Sequence, residues 1–141
     1  MKLPARPAPK RRNETVELTR PIEAALNRLP GVRVCRNNVG QLEWAPGKRL
    51  VYGLGLGSAD LVGIVKCNAL VWEHGAFASD VATISTGRVF CLEVKRPGRK
   101  LEPDQARWAK AVRDLGGFCA VVHSVPEALA CVDRCRAGLS E

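Results

Sequence analysis

The sequence predicts one α/β domain, a central mixed β-sheet flanked by helices in the order α-β-β-β-α-β-α, with an inserted hairpin. Three observations predict it. The 141 residues, 46% of them hydrophobic, suit a single core. Apolar runs with strand character occur at Asp60–Val65, Arg88–Lys95 and Phe118–His123. Segments with helical spacing of apolar residues alternate with these runs, which is the pattern of a sheet covered by helices.

The elements follow in order. Met1 to Asn13 carries three prolines with Lys2, Arg6, Lys10, Arg11 and Arg12, and reads as a disordered basic arm. The folded domain is expected over 14–137, with a short tail at 138–141. Glu14 to Leu29 reads as a helix, with Val16, Leu18, Ile22, Ala25, Leu26 and Leu29 on or near one face. Pro21 removes a donor and clashes with the preceding turn. Either the helix kinks near Leu18, or it begins at Thr19 as N-cap. Pro30-Gly31 ends it.

Val32–Asn38 and Lys48–Gly53 read as two strands of a hairpin joined by Gly40–Gly47. Gly53, Gly55 and Gly57 then interrupt regular structure. Asp60–Val65 and Arg88–Lys95 are strands, and Ala69–Trp72 with Val81–Ser85 suggest an extra hairpin between them. Arg96-Pro97-Gly98-Arg99-Lys100 is a basic turn. The next helix has Pro103 in its first turn, Trp108, Val112 and Leu115 at i, i+4, i+7, and Gly116-Gly117 as its stop. Phe118–His123 is a buried strand. Ser124 and Glu127 form a capping-box pattern for a last helix running to about Arg136.

The formal charge of +8, from 22 Lys+Arg against 14 Asp+Glu, favours a polyanionic partner. The long apolar run that a membrane span needs is absent, so no membrane partner is expected. No apolar segment follows the basic N-terminus, and a cytosolic (cytoplasmic) protein is the expectation. None of the six cysteines forms a C-x-x-C pair. Cys131 and Cys135 lie four apart on a helix, without a second ligand pair. Neither a zinc site nor a disulfide framework is expected, and Cys35, Cys91 and Cys119 read as small hydrophobes.

Three charged residues stand out against this background. Asp60 begins an apolar strand after a glycine-rich approach. Glu93 and Lys95 interrupt another apolar strand two positions apart, so their side chains share a face. Two charges on one face of a buried strand are costly unless paired or bound to a metal. A Glu–Lys salt bridge at a strand end accounts for the pair alone. With Asp60 on a neighbouring strand end, the two carboxylates make a hard oxygen site suited to Mg²⁺ or Mn²⁺. A lysine beside them can hold the attacking water and offset phosphate charge, as metal-assisted phosphodiester hydrolysis requires.

Asp60…Glu93-Val94-Lys95 resembles the signature of the PD-(D/E)xK nuclease superfamily. The wider series is similar to its VRR-NUC (virus-type replication-repair nuclease) family. The pieces are Arg36-Asn37-Asn38-Val39-Gly40, Tyr52-Gly53-Leu54-Gly55, Gly57-Ser58-Ala59-Asp60-Leu61, Leu92-Glu93-Val94-Lys95-Arg96-Pro97-Gly98 and Leu101-Glu102-Pro103-Asp104-Gln105. The resemblance implies a restriction-endonuclease-like core. It implies a metal held by Asp60, Glu93 and the Val94 backbone carbonyl, with Lys95 positioning the water. It also implies a metal-side glutamate on the first helix, for which Glu17 is the expected match and Glu14 and Glu23 are alternatives. Gln105 corresponds to a family glutamine on the helix after the lysine strand, where it either faces the site or caps the helix. The separation of Asp60 from Glu93 is longer than the family pattern, as an inserted hairpin would explain.

Lys48, Arg49, Arg96, Arg99 and Lys100 supply cations around the expected site, and Arg36, Asn38 and Ser58 lie on loops beside it. Arg36 and Asn38 would either contact substrate or stabilise their turn. Phosphate contacts set affinity and salt dependence rather than sequence preference. No base-reading module is evident. Cleavage selective for DNA structure is therefore expected over cleavage selective for sequence. The resemblance extends to homodimeric enzymes of phage or bacterial origin that resolve four-way (Holliday) junctions, whose two-fold symmetry matches that of the substrate. A flap nuclease, an exonuclease or a non-catalytic nucleic-acid-binding module are the other readings.

Overall fold

The computed structural model describes residues 15–72 and 81–139. The expected basic arm and the end of the tail lie outside these residues.

The chain enters through a π-helical turn, Thr15–Thr19, followed by α1 (Arg20–Leu26). Pro21 explains the boundary. A continuous α-helix would need a donor at Pro21 for the Glu17 carbonyl and would drive the ring against it. The preceding turn widens instead, and Pro21 falls in the first turn of α1, where its missing N–H costs nothing. Thr19 occupies the cap position with helical angles (φ −62°, ψ −45°) and no side-chain cap bond. The expected helix from Glu14 to Leu29 is thus shorter and begins irregularly.

Four strands form the central sheet in the order β1-β4-β5-β6, where β1 is Val32–Arg36, β4 Leu61–Trp72, β5 Val81–Val94 and β6 Phe118–Val122. β4 runs antiparallel to β1 and β5, and β5 runs parallel to β6. The sheet is therefore mixed. Helix α2 (Pro103–Asp114) makes the crossover from β5 to β6, and α3 (Val125–Arg136) follows. The N-cap of α3 is Ser124, whose hydroxyl accepts from the Glu127 N–H.

Two expectations about strand pairing change. Val32–Asn38 does not pair with Lys48–Gly53. β1 pairs with β4, placing Val34 opposite Gly63, whereas β3 (Lys48–Tyr52) pairs with β2 (Gly40–Ala45) in a separate two-stranded ribbon. Burial decides this. Val34 is a core residue, while every position of β3 is exposed, so β3 has no face to offer the central sheet. The expected inserted hairpin is not a separate unit either. β4 and β5 pair without interruption from Leu61↔Leu92 to Trp72↔Val81, so the insertion is a lengthening of the two site-bearing strands.

The sheet buries both faces. On one, Ile22 and Leu26 of α1 and Ala128, Cys131, Val132 and Cys135 of α3 pack on Leu61, Val65, Phe90, Leu92, Phe118 and Val122. On the other, Ala109, Trp108 and Val112 of α2 cover Ala59, Val62, Cys91 and Cys119. Cys91 and Cys119 are buried core side chains, as expected, but Cys35 is exposed: it alternates with the buried Val34 on β1 and faces out. α1 also covers the outer edge of β1. The Asn27 side chain donates to the Val34 carbonyl at 2.9 Å and accepts from the Val34 N–H at 3.0 Å, mimicking a strand neighbour. No helix among the described residues is long and apolar enough to cross a membrane.

Candidate metal centre at the ends of β4 and β5

The register of β4 on β5 builds the site. Leu61 lies opposite Leu92, so Asp60, one residue before β4, stands opposite Glu93. Asp60 Oδ2 accepts from the Val94 N–H at 2.9 Å, which pins its carboxylate to the end of β5. A residue in an extended strand directs its N–H and C=O to the same edge, so the Val94 carbonyl is aimed at the Asp60 side.

Glu93 is only 4% exposed. Its Oε1 accepts from Lys95 Nζ at 2.9 Å and from Gln105 Nε2 at 2.5 Å. Burial is the largest effect on this carboxyl and pushes its pKa up. The hydrogen bond from Lys95 opposes that push, and the nearby charge of Asp60 adds to it. Glu93 and Lys95 share a face, as the two-residue spacing requires. Two side-chain donors converge on Oε1, and the Asp60 backbone also donates to this carboxylate.

Gln105 does both things expected of it as alternatives. It is the third residue of α2, and its Oε1 accepts from the Glu102 N–H at 2.9 Å, completing a capping box. Its Nε2 holds Glu93. One side chain therefore ties the start of α2 to the buried carboxylate. Gly57 lets α2 come this close. It has φ +82°, and a Cβ built there would lie 2.7 Å from the backbone of Asp104. Gly57→Ala should cost about 2 kcal/mol or more, from the left-handed backbone and the collision together. Chemical denaturation checks this; a loss below about 0.5 kcal/mol would mean the loop and α2 yield cheaply.

Asn37 organises the loop that delivers Asp60. Its Nδ2 donates to Ser58 Oγ at 2.7 Å and to the Ala59 carbonyl at 3.0 Å, and its Oδ1 accepts from the Leu54 N–H at 3.1 Å. Its own N–H donates to the Asp60 carbonyl at 2.8 Å. Sequence reasoning singled out Arg36 and Asn38 and passed over the asparagine between them. Its signal was there in the Arg36-Asn37-Asn38 series. Ser58, expected at the nucleic acid, is buried, and its hydroxyl donates back to the Gly55 carbonyl at 2.6 Å. Arg36 Nη2 donates to Asn38 Oδ1 at 2.5 Å, the turn-stabilising contact.

The first-helix glutamates go elsewhere. Glu17 accepts from Arg96 Nη2 at 3.1 Å, so the residue expected at the metal is drawn to the basic turn. Glu23 accepts from the Arg36 N–H at 3.3 Å, and Glu14 lies outside the described residues. Among the described residues no three His, Cys, Asp or Glu side chains gather as a metal-binding group. The acidic pair is Asp60 and Glu93.

The two carboxylates line different cavities. Asp60 borders one of about 550 Å³ with Thr19, Arg36, Asn37, Asn38, Tyr52 and Ser58. Glu93 borders one of about 500 Å³ under α2, with Gln105, Trp108, Arg113 and Cys119 among its walls. Lys48, Arg49, Arg99 and Lys100 are all exposed. Lys48 and Arg49 lie on the β2–β3 ribbon and Arg99 and Lys100 on the turn after β5. No family model matches the chain, and neither a curated protein nor a solved structure matches it.

Proposed function

We propose that this chain is a Mg²⁺- or Mn²⁺-dependent nuclease with a restriction-endonuclease-like core of the VRR-NUC type, hydrolysing phosphodiester bonds in branched DNA such as four-way junctions. The observation that carries the reading is the placement of Asp60 opposite Glu93 at paired strand ends, with Lys95 on the Glu93 face. A buried carboxylate facing a second one is costly in a protein that binds no cation there. A hard divalent ion reverses that cost, and oxygen donors are its natural ligands. Asp60, Glu93 and the Val94 carbonyl would hold the ion, which supplies an acidified water and charge neutralisation at the phosphate.

The chain's own residues do the rest. Gln105 fixes the Glu93 carboxylate by one oxygen. Lys95 places an ammonium beside the same oxygen, where it can hold a water for in-line attack. The Val94 N–H orients Asp60. The exposed cations of the β2–β3 ribbon and of the turn after β5 would contact phosphates without reading bases. A homodimer in the cytoplasm, offering two symmetric sites to a symmetric junction, is part of the proposal.

The test is a panel of labelled four-way junctions, flaps, nicked and intact duplexes and RNA counterparts, with Mg²⁺ or Mn²⁺. Branched DNA should be cut in preference to duplex. Asp60→Ala should remove cleavage while keeping binding. Cleavage that persists in Asp60→Ala, or in excess chelator, would falsify the assignment. Cutting confined to flaps or ends would move the enzyme to the flap-nuclease or exonuclease reading.

A further inference from the structure

The β2–β3 ribbon has a role that the carboxylate site does not explain. Among the described residues its two strands pair with each other and with no further strand, and a two-stranded ribbon alone is marginally stable in water. Its register puts Gly40 opposite Tyr52 and Leu42 opposite Leu50 on one face. Gln41, Glu43, Val51 and Arg49 occupy the other. The register is irregular between Glu43 and Ala45, but Lys48 alternates with Leu50 and Tyr52 on that first face, and its Nζ lies 5.0 Å from the Trp44 ring centroid, which brings Trp44 to the same side. Leu42, Trp44, Leu50 and Tyr52 are each about half exposed or more, with Trp44 at 64%. An exposed apolar patch of this kind marks an interaction surface.

The chemistry of the face selects the occupant. Two aromatic rings and a lysine share it, which is the combination that stacks on unpaired bases and contacts the adjoining phosphate. Tyr52 lies flat across the strand at Gly40, where any Cβ would overlap its ring and hydroxyl. Tyr52 also walls the polar cavity that contains Asp60, so the ribbon face continues into the candidate metal centre. A second copy of the chain is the poorer fit. Face-to-face pairing would bury Lys48 of each copy against apolar surface without a carboxylate partner on that face. Four side chains also fall short of the roughly 800 Å² per partner of a standard interface.

We propose that the apolar face of the β2–β3 ribbon, through Trp44 and Tyr52 with Lys48, stacks against unpaired bases of branched or single-stranded nucleic acid and delivers the adjoining backbone to the Asp60 cavity. This rests on the nuclease reading and names the feature of the substrate that the site selects.

The experiment measures binding of the full chain to fluorescein-labelled single-stranded, forked and fully duplex oligonucleotides in chelator, with cleavage of the same substrates in Mg²⁺. Trp44→Ala should weaken binding to the forked and single-stranded probes about tenfold, and duplex binding far less. Trp44→Phe should restore most of the affinity. Gln41→Ala, on the opposite face, should leave affinity unchanged. Tryptophan emission should be quenched by the single strand in the wild-type chain and much less in Trp44→Phe. Equal weakening toward all probes, or no weakening, overturns the proposal. So does a sedimentation mass that falls from dimer to monomer in Trp44→Ala, since the face would then be an interface between copies. Cleavage that persists with no Trp44 effect on binding defeats the ribbon role and leaves the nuclease reading standing. A Trp44-dependent preference for unpaired probes with no metal-dependent cleavage does the reverse.

Discussion

Lys95→Ala is expected to lower metal-dependent cleavage by about 10²–10⁴-fold, the range for losing a group that manages a proton or water in the transition state. The substitution acts on two levels. Chemically, it removes the ammonium 2.9 Å from Glu93 Oε1, which would hold a water next to that carboxylate. Structurally, it leaves the buried Glu93 beside Asp60 with Gln105 as a side-chain donor but without the compensating positive charge. The Glu93 pKa is already raised by burial, so this carboxyl destabilises the metal-free protein as pH climbs. The cost is absent below its unfolded value and grows as pH rises through the folded one. Removing Lys95 should enlarge that cost. In chelator, the melting temperature of the variant should therefore fall further below wild type at pH 8 than at pH 5, and Mg²⁺ should narrow the gap by binding the folded state. Cleavage within twofold of wild type would remove Lys95 from the mechanism. A pH-independent gap in melting temperature would mean that the ion pair contributes little to the fold.

Phe90→Ala should be the most damaging core change, at about 3–5 kcal/mol. Phe90 is fully buried in β5 and packs on Gly63 of β4, where a Cβ would meet both its ring and the Arg33 carbonyl. The fit is close because Gly63 leaves room for the ring, and Gly63 itself has no side chain to move into the cavity left by alanine. Against a typical total of about 5–15 kcal/mol, this takes much of the stability away. Chemical denaturation should show a lower midpoint at unchanged slope. A loss under about 1 kcal/mol would show that β4 and α3 collapse into the space. Glu93 sits three residues further along the same strand and Lys95 just past its end, so cleavage should fail at the temperature where the variant melts.

Much of the site was legible before any tertiary information. The two-residue period of a strand puts Glu93 and Lys95 on one face whatever the strand packs against. The helical start at Pro103 puts Gln105 in the first turn, and both roles weighed for it turned out to coexist. The proline at position 21 announced an irregular first helix. Other features were not legible, because they depend on distant partners. Chain proximity favoured pairing Val32–Asn38 with Lys48–Gly53, but the competition was settled by which strand has a buried face. The insertion looked like a separate hairpin because Ala69–Trp72 and Val81–Ser85 read as two short strands of their own, set off from Asp60–Val65 by Lys66 and Asn68, which are exposed. Backbone pairing tolerates those exposed residues and carries the two strands through.

The sequence by itself determined the α/β class, the places of the last two helices and the shared face of Glu93 and Lys95, since each follows from local periodicity and turn chemistry; it did not show Gly40–Ala45, read as a connection, to be strand β2. Only the tertiary structure decided that Asp60 stands opposite Glu93, that Glu17 turns to Arg96, and that Asn37 and Gly57 hold the loop and α2 in place. Those outcomes rest on strand register and on backbone contacts between residues far apart in the chain, which no local pattern encodes.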